Sequence, residues 1–346
     1  MGAQQGRRRL IAIEYHADLK EVQSDAALAA LLSPTMQQAP FDRLAWWQGL
    51  ADHCGIAPLL AVARDGDAAA VLPLQRAQGQ LSGLANWYSF RWRPISSPGA
   101  DTAGLLTALA RDLARRTPRV TLSGLPDEDG SAGLTEAAFR QAGWIALREA
   151  SDTNHVLLLE GRSYDEYLAG RPGPLRTTLK RKTAKVEIRI IKQFDDRAWS
   201  DYEDIYGESW KPSEGSPAFL RAFAEAEGAA GRLRLGLAYA EGRAIAAQMW
   251  TVEGGTAFIH KLAHREDAKP LSPGTVLSAA LFRQVIDEDG VTLVDFGTGN
   301  DGYKRDWMEA VRPRYRLDLL RPEAPRNWPF LAKRALKRLA GRGNRG

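Results

Sequence analysis

Cysteine is almost absent from this 346-residue chain: Cys54 stands alone. A single cysteine excludes an internal disulfide and a cysteine-based zinc site. Long apolar runs are also missing. None reaches 18 residues, so no transmembrane helix is expected. The opening MGAQQGRRRLIAIEYHADLK has basic residues but no apolar stretch long enough for a signal peptide. Gly6 stands where a myristoylation signal needs Ser or Thr. The expected setting is reducing and cytoplasmic.

What is present fits a soluble globular protein. The chain is 44% hydrophobic and 26% charged, and its length suggests two domains. The net charge of +5 is unevenly placed. Residues 323–346 hold seven basic side chains and one acidic one, so the rest of the chain sums to −1. The basic character belongs to the tail, which argues against DNA as a partner of the body.

One stretch, DFGTGNDGYKRDW (Asp295 to Trp307), invites a kinase reading. No Gly-rich phosphate loop or strand lysine lies upstream, and only 49 residues follow Gly297. That is too short for the helical half of a kinase. DFG is instead expected to end a core strand. Gly297 and Gly299 would then allow close backbone approach, with YKRDW opening the next helix.

A weak internal repeat organises the chain. LLAVARDGDAAAVLPL (59–74) and LGLAYAEGRAIAAQMW (235–250) each read as a β-hairpin with an acidic-Gly turn. Ser97-Pro98-Gly99 has its counterpart in Ser272-Pro273-Gly274. A helical segment follows each, over 105–116 and 276–288. Then come two buried-strand openings, Val120-Thr121-Leu122 and Val291-Thr292-Leu293. The offsets stay between 171 and 176 residues, which argues for a duplicated α/β unit. The expected division is 1–152, 153–322 and a basic tail 323–346, with the boundary near Ala150–Thr153.

Within the second half, TAFIHKLAH (256–264) reads as a strand. Strict alternation puts His260, Leu262 and His264 on one face and Lys261 on the other. His260 and His264 are then about 13 Å apart, too far to share a metal, and no metal site is expected. Ser272 is a suitable N-cap and Pro273 a suitable first helical residue. The free N–H groups and dipole at that helix start suit a phosphate. RTTLKRKTAKVEIRIIK (176–192) reads as a helix running into a strand, with a cationic face toward an anionic substrate, a membrane or solvent. ESWKPSEGSP (208–217) is a candidate rim carrying Trp210 and Lys211. Trp87 and Trp92, in NWYSFRWRP, are candidates for an apolar or sugar-stacking cleft or for the core.

The order hairpin, SPG-led helix, strand ending LVDFG, YKRDW and final strand RYRLDLL resembles the GNAT acyltransferase superfamily. More narrowly it resembles the two-domain branch of Fem-like and CelD-like proteins. The match is best over residues 160–320. This resemblance implies two tandem GNAT-like α/β (α+β) domains, each a mixed, mostly antiparallel sheet flanked by helices. It implies acyl transfer from acyl-CoA, as co-substrate, to an amine. Ser272, Pro273, Gly274 and Thr275, with Lys261, are then the expected cofactor-binding residues. A strand N–H near Lys261–Ala263 is the expected donor to the thioester oxygen. His260 is the expected base, because an unperturbed imidazole titrates near neutrality; Asp295 and His264 follow it. Lys304, positioned by Tyr303 and Trp307, is the expected anchor, with Trp210, Lys211 and His264 near the acceptor.

Residues 328–340, WPFLAKRALKRLA, read as a basic amphipathic helix. Leu331, Ala332, Ala335, Leu336, Leu339 and Ala340 fall on one half, and Lys333, Arg334, Lys337 and Arg338 on the other. Such a helix suits an anionic membrane surface. The expected function is therefore N-acylation of a membrane- or envelope-associated amine, such as a long-chain base, by a cytoplasmic enzyme peripheral to the inner membrane. Alternatives are an amino-sugar N-acyltransferase of exopolysaccharide synthesis, a Fem-type enzyme using aminoacyl-tRNA, and a non-catalytic binding protein.

Overall fold

The structure is a computed structural model that describes residues 11–77 and 79–334. The chain forms two compact units. One comprises Met1–Ala51, Ile56–Ser151 and Pro313–Gly346; the other comprises Asp52–Gly55 and Asp152–Arg312.

The first unit is built from β1 (Ala12–His16), α1 (Leu19–Ser24), α2 (Ala26–Leu31), α3 (Leu44–Cys54), β2 (Ala57–Asp65), β3 (Ala68–Ala77), β4 (Gln80–Gly83), β5 (Ile95–Ser96), α4 (Thr102–Leu113), β6 (Arg119–Leu125) and α5 (Ser131–Gln141). The strand β7 (Ile145–Leu158) leaves this unit and enters the second. The expected hairpin is present: β2 and β3 pair antiparallel across a two-residue Gly66-Asp67 turn, with Asp65 opposite Ala68. β4 and β6 run parallel, Leu81 opposite Val120. Asp18 and Asp25 accept N–H groups at the starts of α1 and α2, as short acceptor side chains do at N-caps. The core joins Leu72 and Leu74 of the hairpin to Leu106, Leu109 and Leu113 of α4.

The second unit continues with α6 (Tyr164–Ala169), α7 (Gly173–Lys182), β8 (Glu187–Ile191), α8 (Asp196–Gly207), α9 (Pro217–Ala229), β9 (Leu233–Ala240), β10 (Arg243–Glu253), β11 (Thr256–His264), α10 (Pro273–Arg283), β12 (Leu293–Thr298) and α11 (Lys304–Trp307). Its strands lie in the order β7-β12-β11-β10-β9-β8. The Glu241-Gly242 turn of the β9–β10 hairpin has positive φ at both residues, the backbone that matches strand twist. Gly236 on β9 lets α10 approach: a Cβ there would stand 2.8 Å from Leu281 Cδ1 and 2.9 Å from Leu277 Cδ1. Leu277, Leu281 and Phe282 are buried against this sheet, each worth about 1.5–3 kcal/mol in removed apolar surface.

The last strand, β13 (Ala310–Leu320), pairs antiparallel with β6, Leu317 opposite Leu122 and Leu319 opposite Val120. Its Leu317 and Leu319 complete the first unit's core. The strand that closes the repeat pattern of the second half thus lies in the sheet of the first. β7 makes the reverse contribution, with residues 154–158 pairing along β12. Each unit is a mixed, mostly antiparallel sheet flanked by helices, as the sequence implies.

The C-terminal segment is helical over residues 328–334. Phe330 packs under the Arg119 guanidinium at 4.6 Å, and Arg334 donates to Glu149 at 2.8 Å. The remainder of the expected amphipathic helix lies outside the described residues. No helix among the described residues is long and apolar enough to cross a membrane.

Candidate active site

The centre of the second unit is a departure from regular strand geometry. β11 and β12 are parallel neighbours, paired at Thr256↔Leu293, Ala257↔Val294 and Phe258↔Asp295. Pairing stops there among the described residues, although β11 runs on to His264 and β12 to Thr298. On its other side, β11 carries a bulge. Trp250 is opposite Ile259 and Met249 opposite Lys261, which leaves His260 as the extra residue.

The bulge corrects the alternation expected for this strand. Two successive side chains, His260 and Lys261, now face the same pair of helices. The His260 ring meets Phe223 of α9 edge-on at 5.1 Å, and Lys261 Nζ lies 5.5 Å from the Tyr206 ring of α8. Bulges re-aim side chains in this way and collect beside functional sites.

His260 is not poised near neutrality as expected. Its Nε2 shares a 2.8 Å hydrogen bond with Thr251 Oγ1. Burial, and then the charge of Lys261, push its pKa down to about 3. The imidazole is neutral at physiological pH but is a weak base there. Asp295 is also committed. Its Oδ1 accepts from Asn154 Nδ2 at 2.6 Å and from the Gly297 N–H at 2.8 Å. This brace fixes the end of β12, where Gly297 and Gly299 take φ of +67° and +94°.

The SPG turn departs from expectation as well. Ser272 occupies the N-cap position of α10 in a left-handed conformation, φ +51°, and its side chain makes no capping hydrogen bond. A non-glycine residue held there stores strain of order 1–3 kcal/mol, a cost that tends to cluster at ligand sites. The first turn of α10 therefore starts without a side-chain cap, and its N–H dipoles suit an anion. Gly274 sits against His264, where a Cβ would be 3.4 Å from Cδ2. Gln248 Nε2 fixes the turn by donating to the Gly274 carbonyl at 3.1 Å. Lys182, in the last turn of α7, donates to the Pro270 carbonyl just before it at 2.7 Å. Thr275 follows, half-buried.

Lys304 is buried, with 4% of its surface exposed. Its ammonium donates to the Thr298 carbonyl at the end of β12 and lies 5.4 Å from the Phe296 ring. Burial lowers its pKa, opposed by Asp301, Asp152 and Asp295. Tyr303 packs edge-on to Phe296 at 5.7 Å, and burial pushes its phenol up to about 12. Trp307 does not reach a cleft: it is buried and stacks on Phe282, centroids 4.8 Å apart. Its role is packing.

The 208–217 segment closes over this region. Trp210 packs against His264, rings tilted by 37° with centroids 4.3 Å apart, and Lys211 Nζ is 5.6 Å from the indole. Burial lowers the pKa of Lys211, with Lys261 and Lys304 adding repulsion. The three lysines thus share one electrostatic neighbourhood. Sequence reasoning missed Glu214, whose carboxylate is 2.7 Å from Lys261 Nζ. It also missed Thr251, Asn154 and the cavity between α8 and α9. The cavity has about 410 Å³ of space, with Trp199, Tyr202, Tyr206, Lys211, Glu214 and Leu220 in its wall. Acidic and aromatic residues one helix turn apart on α8 are the only sequence signal, and packing explains such a pattern equally well. Trp92 is a core residue bonded to the Pro73 carbonyl, while Trp87 is exposed.

Residues 171–305 match the family described as an acetyltransferase (GNAT) domain. No curated protein sequence matches the chain. Solved structures do match it. FemX aligns with a TM-score of 0.58 and 12% identity, over 89% of this chain and 98% of its own. L-PGS from Bacillus licheniformis aligns at 0.56 and 13%, over 94% and 97%. A tandem GNAT protein from the clavulanic acid biosynthesis pathway aligns at 0.53 and 16%, over 90% and 100%. At such identities the likeness is one of fold. The parted parallel strands, the bulge and the SPG-led helix lie inside the matched segment. Residues 171–305 thus match a GNAT acetyltransferase domain, and the chain as a whole shares the fold of these solved structures.

Proposed function

We propose that the protein is an N-acyltransferase that moves an acyl group from acyl-CoA to the amine of a membrane- or envelope-associated acceptor. The observation that carries this reading is the uncapped start of α10 beside the parting of β11 and β12. Ser272, Pro273, Gly274 and Thr275 would hold the pyrophosphate of the co-substrate, with the cations of α7 nearby. Acyl-CoA supplies an activated carbonyl and a thiol leaving group. Backbone N–H groups of β11 beyond Phe258, freed from β12, would stabilise charge developing on the carbonyl oxygen. Lys304 would hold the β12 end in place and offer positive charge to the acceptor or leaving group.

A long-chain base is the acceptor we place first, and an amino sugar of an exopolysaccharide second. The exposed face of α7 and of the turn that follows it favours one further reading. Arg176, Lys180, Arg181 and Lys185 are exposed, and a row of this kind suits a polynucleotide phosphate backbone. An aminoacyl-tRNA donor would use it.

The test is mass spectrometry of the purified chain offered acetyl-CoA, palmitoyl-CoA and aminoacyl-tRNA with sphinganine and glucosamine derivatives. Transfer of a long acyl chain to sphinganine supports the first reading. Transfer to sugar amines alone moves the protein to polysaccharide modification, and transfer from aminoacyl-tRNA alone moves it to the Fem-type reaction.

A further inference from the structure

The first unit has a cavity of its own. It holds about 310 Å³, at the lower end of the range of small-molecule pockets. Three segments meet there: Met36 and Gln37 ahead of α3, Arg93 with Ile95 and Ser96 around β5, and the Ser97–Ala100 turn that leads into α4. Its wall is rich in hydrogen-bond donors that the surrounding structure holds in place. Arg93 Nε donates to Asp42 at 2.9 Å, and its Nη2 donates to Gln37 Oε1 at 3.0 Å. Gln37 is itself fixed, its amide donating to the Leu31 carbonyl at 2.8 Å. A guanidinium has five N–H bonds, so most of those on Arg93 have no protein partner among the described residues. Its side chain is 27% exposed. Ser96 Oγ accepts from Thr102 Oγ1 at 2.8 Å, and Ser97 Oγ accepts from the Ala69 N–H at 3.1 Å. Each serine hydroxyl keeps its own proton to give.

The charges around this wall are matched. Asp42 is 2% exposed, and its Oδ2 takes both Arg91, at 2.5 Å, and Arg93, at 2.9 Å. Asp101 brings a second carboxylate to the start of α4, where it accepts from the Gly104 N–H. The positive end of that helix is thereby answered from within the protein. Two guanidinium groups stand against two carboxylates, so the cavity presents N–H and O–H dipoles and no surplus of charge. Met36, Ile95 and Pro98 add carbon surface beside them. Donors gathered in a concave site are best satisfied by a ligand carrying several oxygens.

We propose that this cavity binds a neutral sugar ring. The ring and hydroxyl oxygens accept from Arg93, Ser96 and Ser97, and the C–H face lies against Met36 and Pro98. A sugar hydroxyl also gives a proton, and Gln37 Oε1 has a second lone pair to take it. The inference uses none of the residues assigned to transfer and does not depend on the acyl-transfer reading. It gives the first unit a binding role of its own.

The experiment is calorimetric titration of the full chain with methyl glucoside, which has no amine to enter the transfer site, beside glucuronate, inorganic phosphate and coenzyme A. The expected result is that methyl glucoside binds more tightly than glucuronate or phosphate. Arg93→Lys keeps a cation beside Asp42 but loses the planar set of donors. It should weaken methyl glucoside about tenfold, as losing one or two hydrogen bonds would. Because Arg93 touches a buried carboxylate, Ser96→Ala serves as a milder variant. It should weaken the sugar several-fold and leave thermal unfolding unchanged. Met36→Glu puts a carboxylate at the exposed edge and should leave the affinity for the neutral sugar nearly unaltered. Absence of measurable methyl glucoside binding overturns the site. So does binding that neither Arg93→Lys nor Ser96→Ala weakens, because the sugar would then sit elsewhere. Glucuronate or phosphate bound more tightly than methyl glucoside overturns the neutral class, and its loss in Met36→Glu would mark an anion site. Coenzyme A binding that Arg93→Lys weakens would give this cavity to the co-substrate and overturn the sugar equally.

Discussion

The two SPG segments begin alike and end in opposite states. In the first unit, Asp101 caps α4: its Oδ1 accepts from the Gly104 N–H at 3.0 Å. A carboxylate thus occupies the place where an anion would be drawn. In the second unit, Ser272 holds the same position in a left-handed conformation and caps nothing. The parallel strands tell the same story. Between β4 and β6 the chain inserts Trp92, whose N–H donates to the Gly124 carbonyl at 3.0 Å. Its indole lies 3.0 Å from where a Cβ of Gly83 would stand. The corresponding strands of the second unit, β11 and β12, part after three residue pairs. The first unit thus has a carboxylate at its helix start and a tryptophan packed against Gly83 and Gly124, and the second has no side-chain cap at its helix start. The frame recurs in both units, and a few side chains set the two helix starts apart.

The comparison can be broken in steps. The largest effect is expected from Trp92→Ala. Truncating a buried tryptophan costs about 3–5 kcal/mol, so thermal unfolding should show a strongly destabilised first unit. Lys304→Ala comes next. Loosening the end of β12 should lower acyl transfer about 100-fold, the order seen when reacting groups are misplaced, with little change in the far-UV spectrum. An effect on KM alone would show that Lys304 only binds.

Ser272→Asp copies the first unit's cap into the second. A carboxylate at that helix start should raise KM for acyl-CoA about tenfold, within the range of helix-terminus electrostatics; an unchanged KM would place the phosphates elsewhere. The reciprocal Asp101→Ala should cost about 1 kcal/mol of stability and leave transfer kinetics untouched.

The smallest effect concerns pH. His260 has a folded pKa of about 3, below its unfolded value, so the unfolded chain binds the proton first. Its contribution to stability is complete above about pH 6.5 and falls as pH drops toward 3. Denaturant midpoints across that window should slope less in His260→Gln.

Much of this was legible in the residues themselves. The hairpins, the two SPG segments, the SPG-led helix, the strand ending in DFG and the YKRDW helix follow from local chemistry: two-residue turns, Pro at a helix start, and Gly where φ is positive. Lys304 stood out because a lysine between two aromatic residues is unusual for a turn.

Other features depend on partners distant in sequence. The bulge that turns His260 and Lys261 to one face exists only in the register between β10 and β11. The depressed basicity of His260 comes from burial beside Thr251 and Phe223. Trp307 is core because Phe282 lies under it, and Glu214 matters because Lys261 meets it across 47 residues. The exchange that places β13 in the first unit needs Leu317 and Leu319 to find that core rather than their own. Periodicity and turn chemistry act over a few residues, so the sequence by itself determined the elements, their order and the duplicated frame. Pairing register, desolvation and charge neighbourhoods are set by what packs alongside, so only the tertiary structure decided how the two frames differ and which side chains meet at the candidate site.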